Sequence, residues 1–105
     1  MSLNDALGAV EARLAARRDT SEQYARKLQE RLDGLYETKL YELGETWAVQ
    51  VRYPEDRTTW LTIRCVMYDD RPKWEWSRWL RSIADGDDFE GVAAYLGRLF
   101  AGDFT

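Results

Sequence analysis

Residues 46–68 constrain the fold of this chain more than any other stretch. Trp47, Val49, Val51 and Tyr53 alternate with Thr46, Ala48, Gln50 and Arg52. After Pro54-Glu55-Asp56-Arg57, Thr59, Leu61, Ile63, Cys65 and Met67 alternate with Thr58, Trp60, Thr62, Arg64, Val66 and Tyr68. Period two is the mark of a strand that buries one face, and the segment between the runs is turn material. The two runs predict an antiparallel hairpin. Each strand has an apolar face for a core and a mixed face, and the mixed face of the second strand carries Trp60, Arg64 and Tyr68. Helices most easily cover one face of such a hairpin, so Trp60 and Tyr68 need a cover of another kind.

The segment before the hairpin reads as helix. Leu3, Leu7, Val10 and Leu14 follow the 4-3-4 spacing of one helix face, and alanines surround them. Ser2 with Asp5 forms a capping-box pattern at the start. Ala25, Leu28, Leu32 and Leu35 make a second stripe. Between the stripes, Arg17-Arg18-Asp19-Thr20-Ser21 puts polar residues on the seam, and Thr20 with Gln23 repeats the capping pattern. A long helix with a stutter and a helical hairpin broken near Asp19 both fit; the helix-forming neighbours favour the first. At the far end, Leu32, Leu35 or Tyr36, Lys39 or Leu40, and Leu43 keep a helical period that Gly44 would cap, while Asp33-Gly34 could end the helix earlier.

After Asp69-Asp70-Arg71-Pro72, the residues Lys73-Trp74-Glu75-Trp76 alternate like a short strand. Trp76, Trp79, Leu80 and Ile83 have helical spacing instead, which predicts a short extended piece and then helix to about 84. Asp85-Gly86-Asp87-Asp88 reads as a loop. Asp87 with Glu90 signals a helix start, and Phe89, Val92, Ala93, Leu96, Leu99 and Phe100 form its apolar face. The expected architecture is a single α+β domain over 1–105. It comprises a helical segment over 1–44, a β-hairpin over 45–70 within a two- to three-stranded antiparallel meander, and two C-terminal helices over 71–105.

Composition excludes several chemistries. The 105 residues include no histidine and one cysteine. That removes Ser-His-Asp and Cys-His catalysis, His-ligated zinc or haem, an intrachain disulfide and a CxxC redox pair. Neither a membrane-span-length apolar run nor a secretion-signal pattern is present, so a cytoplasmic location is expected. Asp69-Asp70 could serve acid–base or metal chemistry, but the neighbouring strand offers Thr62 and Arg64 where such a site wants another acid and a lysine. Cys65 sits among inward residues and reads as a core thiol. The sequence therefore indicates a non-enzymatic protein with no cofactor, metal or catalytic residue.

Charge and aromatic placement point to recognition instead. The net charge is −4, yet residues 46–84 hold seven bases and five acids together with all five tryptophans, whereas residues 85–105 hold five acids and one base. An aromatic and basic patch is expected from Trp60, Arg64, Tyr68, Arg71, Lys73, Trp74, Trp76, Arg78, Trp79 and Arg81. Such residues dominate protein–protein hot spots and also stack bases and pair phosphates; core packing is the competing role for some of the tryptophans. The acidic segment Asp85, Asp87, Asp88, Glu90 and Asp103 could occupy a basic channel by charge mimicry, although acids at a helix start also serve the macrodipole. On size and charge rather than motif, the chain resembles toxin-immunity proteins, secretion chaperones and phage-encoded inhibitors such as anti-CRISPR or anti-restriction proteins. The expected partner is a protein, bound through Trp60, Arg64, Tyr68, Arg71, Trp74, Trp76, Asp85, Asp87 and Asp88. The first helix either pairs with a second copy or a partner helix or packs on the domain's own sheet, two roles its stripe fits equally, and single-stranded nucleic acid is the alternative ligand.

Overall fold

The computed structural model describes residues 2–76 and 81–102. One long helix, α1 (Leu3–Leu32), precedes five strands: β1 (Thr38–Leu43), β2 (Thr46–Arg52), β3 (Trp60–Tyr68), β4 (Arg71–Trp76) and β5 (Arg81–Asp85). A second helix, α2 (Phe89–Phe100), follows. The strands form one antiparallel sheet in sequence order, β1-β2-β3-β4-β5. The α+β class and the central hairpin match the sequence expectation, with Val49 opposite Ile63 and Val51 opposite Leu61. The strand and helix counts differ from it.

Helix α1 is continuous through Asp19-Thr20-Ser21. Ser2 and Asp5 form the full capping box at its start. Thr20 does not begin a new helix; its hydroxyl donates to the Ala16 carbonyl one turn back, at 2.9 Å. The helix stops at Leu32, and Gly34 takes a positive φ of 83° just beyond. The continuation to Gly44 therefore fails. Residues 38–43 are strand β1, and Gly44 (φ 59°) turns the chain through a two-residue hairpin into β2. Six residues pair with β2 and Leu40 packs against the core from that strand, which the weak helical period of Tyr36, Leu40 and Leu43 is too short to outweigh.

The expected helix over 76–84 is also overturned. Residues 71–76 form β4 and 81–85 form β5, with a bulge at Trp74/Glu75. The alternation of Lys73-Trp74-Glu75-Trp76 is the period that holds. Trp79, Leu80 and Arg78 lie outside the described residues. Among the described residues one C-terminal helix remains rather than two. Its N-cap is Asp88, not Asp87: the Asp88 carboxylate accepts from the Gly91 backbone N–H at 2.9 Å.

Both helices lie on one side of the sheet. Ala25, Leu28 and Leu32 of α1 and Val92 and Leu96 of α2 pack with Val49, Val51, Leu61, Ile63, Cys65 and Trp74 in a buried core. Tyr36 and Tyr53 each meet Phe100 edge-on, with ring centroids 5.1 and 4.9 Å apart. No described helix is long and apolar enough to cross a membrane.

Candidate partner-binding face

The strand register decides which side chains share the uncovered face of the sheet. In β3, Leu61, Ile63 and Cys65 point into the core, so Trp60, Thr62, Arg64, Val66 and Tyr68 point away. Their cross-strand partners extend the face. Arg52 lies opposite Trp60, Gln50 opposite Thr62, Glu75 opposite Arg64, Lys73 opposite Val66 and Arg71 opposite Tyr68. Lys39 on β1 and Asp85 on β5 complete it, opposite Gln50 and Lys73. None of the described helices covers this surface.

Two polar clusters organise the face. At one end, the Trp60 ring is engaged by two cations: the Lys39 ammonium lies 4.3 Å and the Arg52 guanidinium 4.5 Å from its centroid. Arg52 Nε also lies 3.3 Å from Glu37. At the other end, the Tyr68 hydroxyl donates to Glu75, and Arg64 stands 3.6 Å from the second Glu75 oxygen. Glu75 is only 5% exposed, so its charge depends on these neighbours. Accepting by Glu75 holds the Tyr68 phenol above its ordinary pKa, with partial burial and the carboxylate charge adding to the effect and Arg64 opposing it.

The nine residues expected to bind a partner separate into distinct places. Trp60, Arg64, Tyr68, Arg71 and Asp85 share the open face. Trp74 is fully buried and its Nε1 donates to the Gly86 carbonyl at 2.9 Å, so it is a core residue that no partner can touch. Trp76 is half-buried and packs against the core from the helix side. Asp88 is occupied as the α2 cap. Asp85 and Asp87 border a surface hollow of about 340 Å³ together with Tyr24, Arg71 and Lys73. Glu90 pairs with Arg31, and that contact holds its carboxyl below the usual range. Asp103 lies outside the described residues.

The chain matches no family model, curated protein or solved structure.

Sequence reasoning missed Lys39, Gln50, Arg52 and Glu75 as members of this face. Lys39 was hidden because its segment reads as helix. Glu75 could have been found: once Lys73-Trp74-Glu75-Trp76 is paired to β3, a buried tryptophan forces its neighbour outward. Among the described residues no group of three or more acids or cysteines is placed to hold a metal ion. Cys65 is fully buried, and burial pushes its thiol up to about 12, against a small opposing effect of Ser21. A thiol in that state is not a nucleophile near neutral pH.

Proposed function

We propose that this protein is a non-enzymatic binding module whose open sheet face docks a protein partner. The observation that carries the reading is the pairing state of that face. It presents Trp60, Tyr68, Arg52 and Arg64, the residue types that dominate protein hot spots. Its two central arginines each lie beside an acid of the fold, Arg52 by Glu37 and Arg64 by Glu75. A surface built to hold phosphates would leave such arginines for the ligand. A surface built to stack bases would leave a tryptophan face clear, whereas Trp60 is engaged by Lys39 and Arg52. An amphipathic face with rigid aromatics, mixed charge and two arginines already paired suits a protein whose docked surface is also mixed. Inhibition of a nucleic-acid-handling complex by acidic mimicry receives less support, since Asp88 and Glu90 are engaged within the fold.

The test is binding by the Trp60→Ala, Tyr68→Ala double variant. Both side chains lie outside the core, so the circular dichroism should stay like the parent's, while loss of the Tyr68 hydroxyl from the buried Glu75 carboxylate lowers the melting temperature. Captured partner protein should fall by at least about 30-fold, the effect of losing a hot spot of ~2 kcal/mol. Unchanged capture would overturn the reading. So would strong quenching of tryptophan fluorescence by single-stranded oligonucleotide that persists at physiological salt, which would move the face to nucleic acid.

A further inference from the structure

Strand β1 is an edge of the sheet, and the hairpin register fixes which of its backbone groups face outward. The Arg52 backbone N–H donates to the Glu37 carbonyl at 2.9 Å, in line with the pairs that follow from Thr38 and Val51. Bonded and non-bonded pairs alternate in an antiparallel ladder. Lys39, Tyr41 and Leu43 therefore bond to β2, and Thr38, Leu40 and Glu42 turn their N–H and C=O groups outward. Among the described residues no strand pairs there. An open edge is a template for another strand, and folds that stay single blunt it with proline, a bulge or a charge. β1 has no proline, and its register is unbroken over 6 residues. Its cation does not guard the edge, because the Lys39 ammonium is drawn back across β2 to within 4.3 Å of the Trp60 ring centroid. Ser21 ties α1 to Trp47 of β2 and Cys65 of β3, inboard of the edge. The opposite edge strand, β5, differs: a bulge at Trp74/Glu75 breaks its register with β4.

We propose that β1 pairs antiparallel with β1 of a second copy, joining the two sheets edge to edge. The reading is independent of what docks on the open face. The occupant is argued from how this edge matches itself. With Leu40 opposite Leu40 of the second copy, the two residues exchange both backbone bonds. Thr38 then exchanges bonds with Glu42 of the second copy, and Glu42 with its Thr38, so all three outward residues are satisfied. On the helix side the two leucines meet. On the other side Lys39 stands opposite Tyr41, whose ring is 46% exposed in the single chain and comes under the lysine stem. No like charges are opposed. A slip that centres the pair on Lys39 sets the two lysines against each other. One that centres it on Tyr41 sets Leu40 against Glu42 and brings Glu37 level with Glu45. One short strand pair with one apolar contact is a small interface, so the dimer is of the weak, concentration-dependent kind.

Sedimentation of the full chain should show reversible dimerisation. Glu42→Pro tests the edge without touching the hairpin: residue 42 is exposed, and its N–H points away from β2, so proline there removes no bond within the chain. The lost donor and the added ring should raise the dimer dissociation constant at least about 10-fold and leave the circular dichroism unchanged. Residue-resolved amide exchange reads the same contact. The Leu40 and Glu42 amides should gain protection as concentration rises, whereas those of Lys39 and Tyr41, bonded to β2, should be protected throughout. Orientation is read by a spin label on Glu45→Cys; Cys65 is buried and stays unlabelled. Position 45 lies five residues from the centre, so the antiparallel register puts the two labels about 30 Å apart. A chain that stays monomeric at about 0.5 mM would overturn the proposal. So would labels side by side, which would mean a parallel pair, or a dimer indifferent to Glu42→Pro. If that dimer is lost instead with Leu7→Glu, in the exposed first half of α1, the contact is the helix and not the sheet edge.

Discussion

Ser21 joins the long helix to the sheet through two hydrogen bonds. Its hydroxyl donates to the Cys65 carbonyl at 2.9 Å and accepts from the Trp47 backbone N–H at 2.8 Å. Trp47 and Cys65 face each other across β2 and β3, so a helix side chain is linking two strands directly. The residue is fully buried. Ser21→Ala would strand a backbone donor and acceptor in the core, at a cost of about 1–3 kcal/mol for an unsatisfied group. Chemical denaturation should show that loss as a lower midpoint with an unchanged slope. A variant as stable as the parent would mean that the strands close the bond without the serine. The sequence offers half of this. Ser21 is visible as a polar residue on an apolar seam, where it reads as a weakness in the helix. Only the register of the hairpin beneath it shows that the weakness is a binding position. Cys65, in contrast, is legible from alternation alone. Because its folded pKa of about 12 lies above the ordinary thiol value of 9.0, it contributes stability below pH ~9 that is lost as pH rises towards 12. Near neutral pH a thiol reagent should modify it only as fast as the protein unfolds. Rapid stoichiometric labelling of native protein would contradict the burial.

At the scale of elements, β1 and β5 are the parts that local sequence hides. Both carry apolar residues whose spacing satisfies a helix and a strand alike, and short segments give periodicity too few turns to decide. Their identity comes from neighbours: β1 completes the sheet beside β2, and β5 beside β4. The tight turns show the same dependence. Asp69 and Asp70 both take positive φ, 49° and 63°, in the two-residue connection between β3 and β4, where Tyr68 pairs with Arg71. Aspartate tolerates that conformation, so the pair that suggests catalysis in the sequence is turn chemistry in the fold. The β5–α2 corner depends on Gly86 in another way. Its backbone N–H donates to the Pro72 carbonyl at 2.9 Å and its carbonyl receives Trp74 Nε1. A Cβ there would lie 2.5 Å from Pro72 side-chain carbons and 3.1 Å from its carbonyl oxygen. Gly86→Ala should therefore displace β4 from the corner and cost about 1–3 kcal/mol, the range for overpacking. A melting temperature equal to the parent's would show that the corner relaxes freely.

The molecule as a whole is elongated. Its radius of gyration is 15.5 Å, above the ~13 Å typical of a compact domain this long, and the overhanging half of α1 accounts for the excess. The helices take one side of the sheet and leave the other to Trp60, Tyr68 and their charged neighbours. The mixed face of β3 was legible in residues 58–68, because period two fixes which side chains share a side. Its extent was not, because Lys39, Glu75 and Asp85 join it only through the full five-strand register. The central claim is that this face meets a protein. Photo-crosslinking tests it most directly, with a photoreactive residue at Val66 on the open face and, as a control, at Ala94 on the exposed side of α2. The account predicts a discrete protein adduct from position 66 that disappears when Trp60→Ala and Tyr68→Ala are added, and none from position 94. An adduct from position 94 alone, or one from position 66 that survives both substitutions, would contradict it.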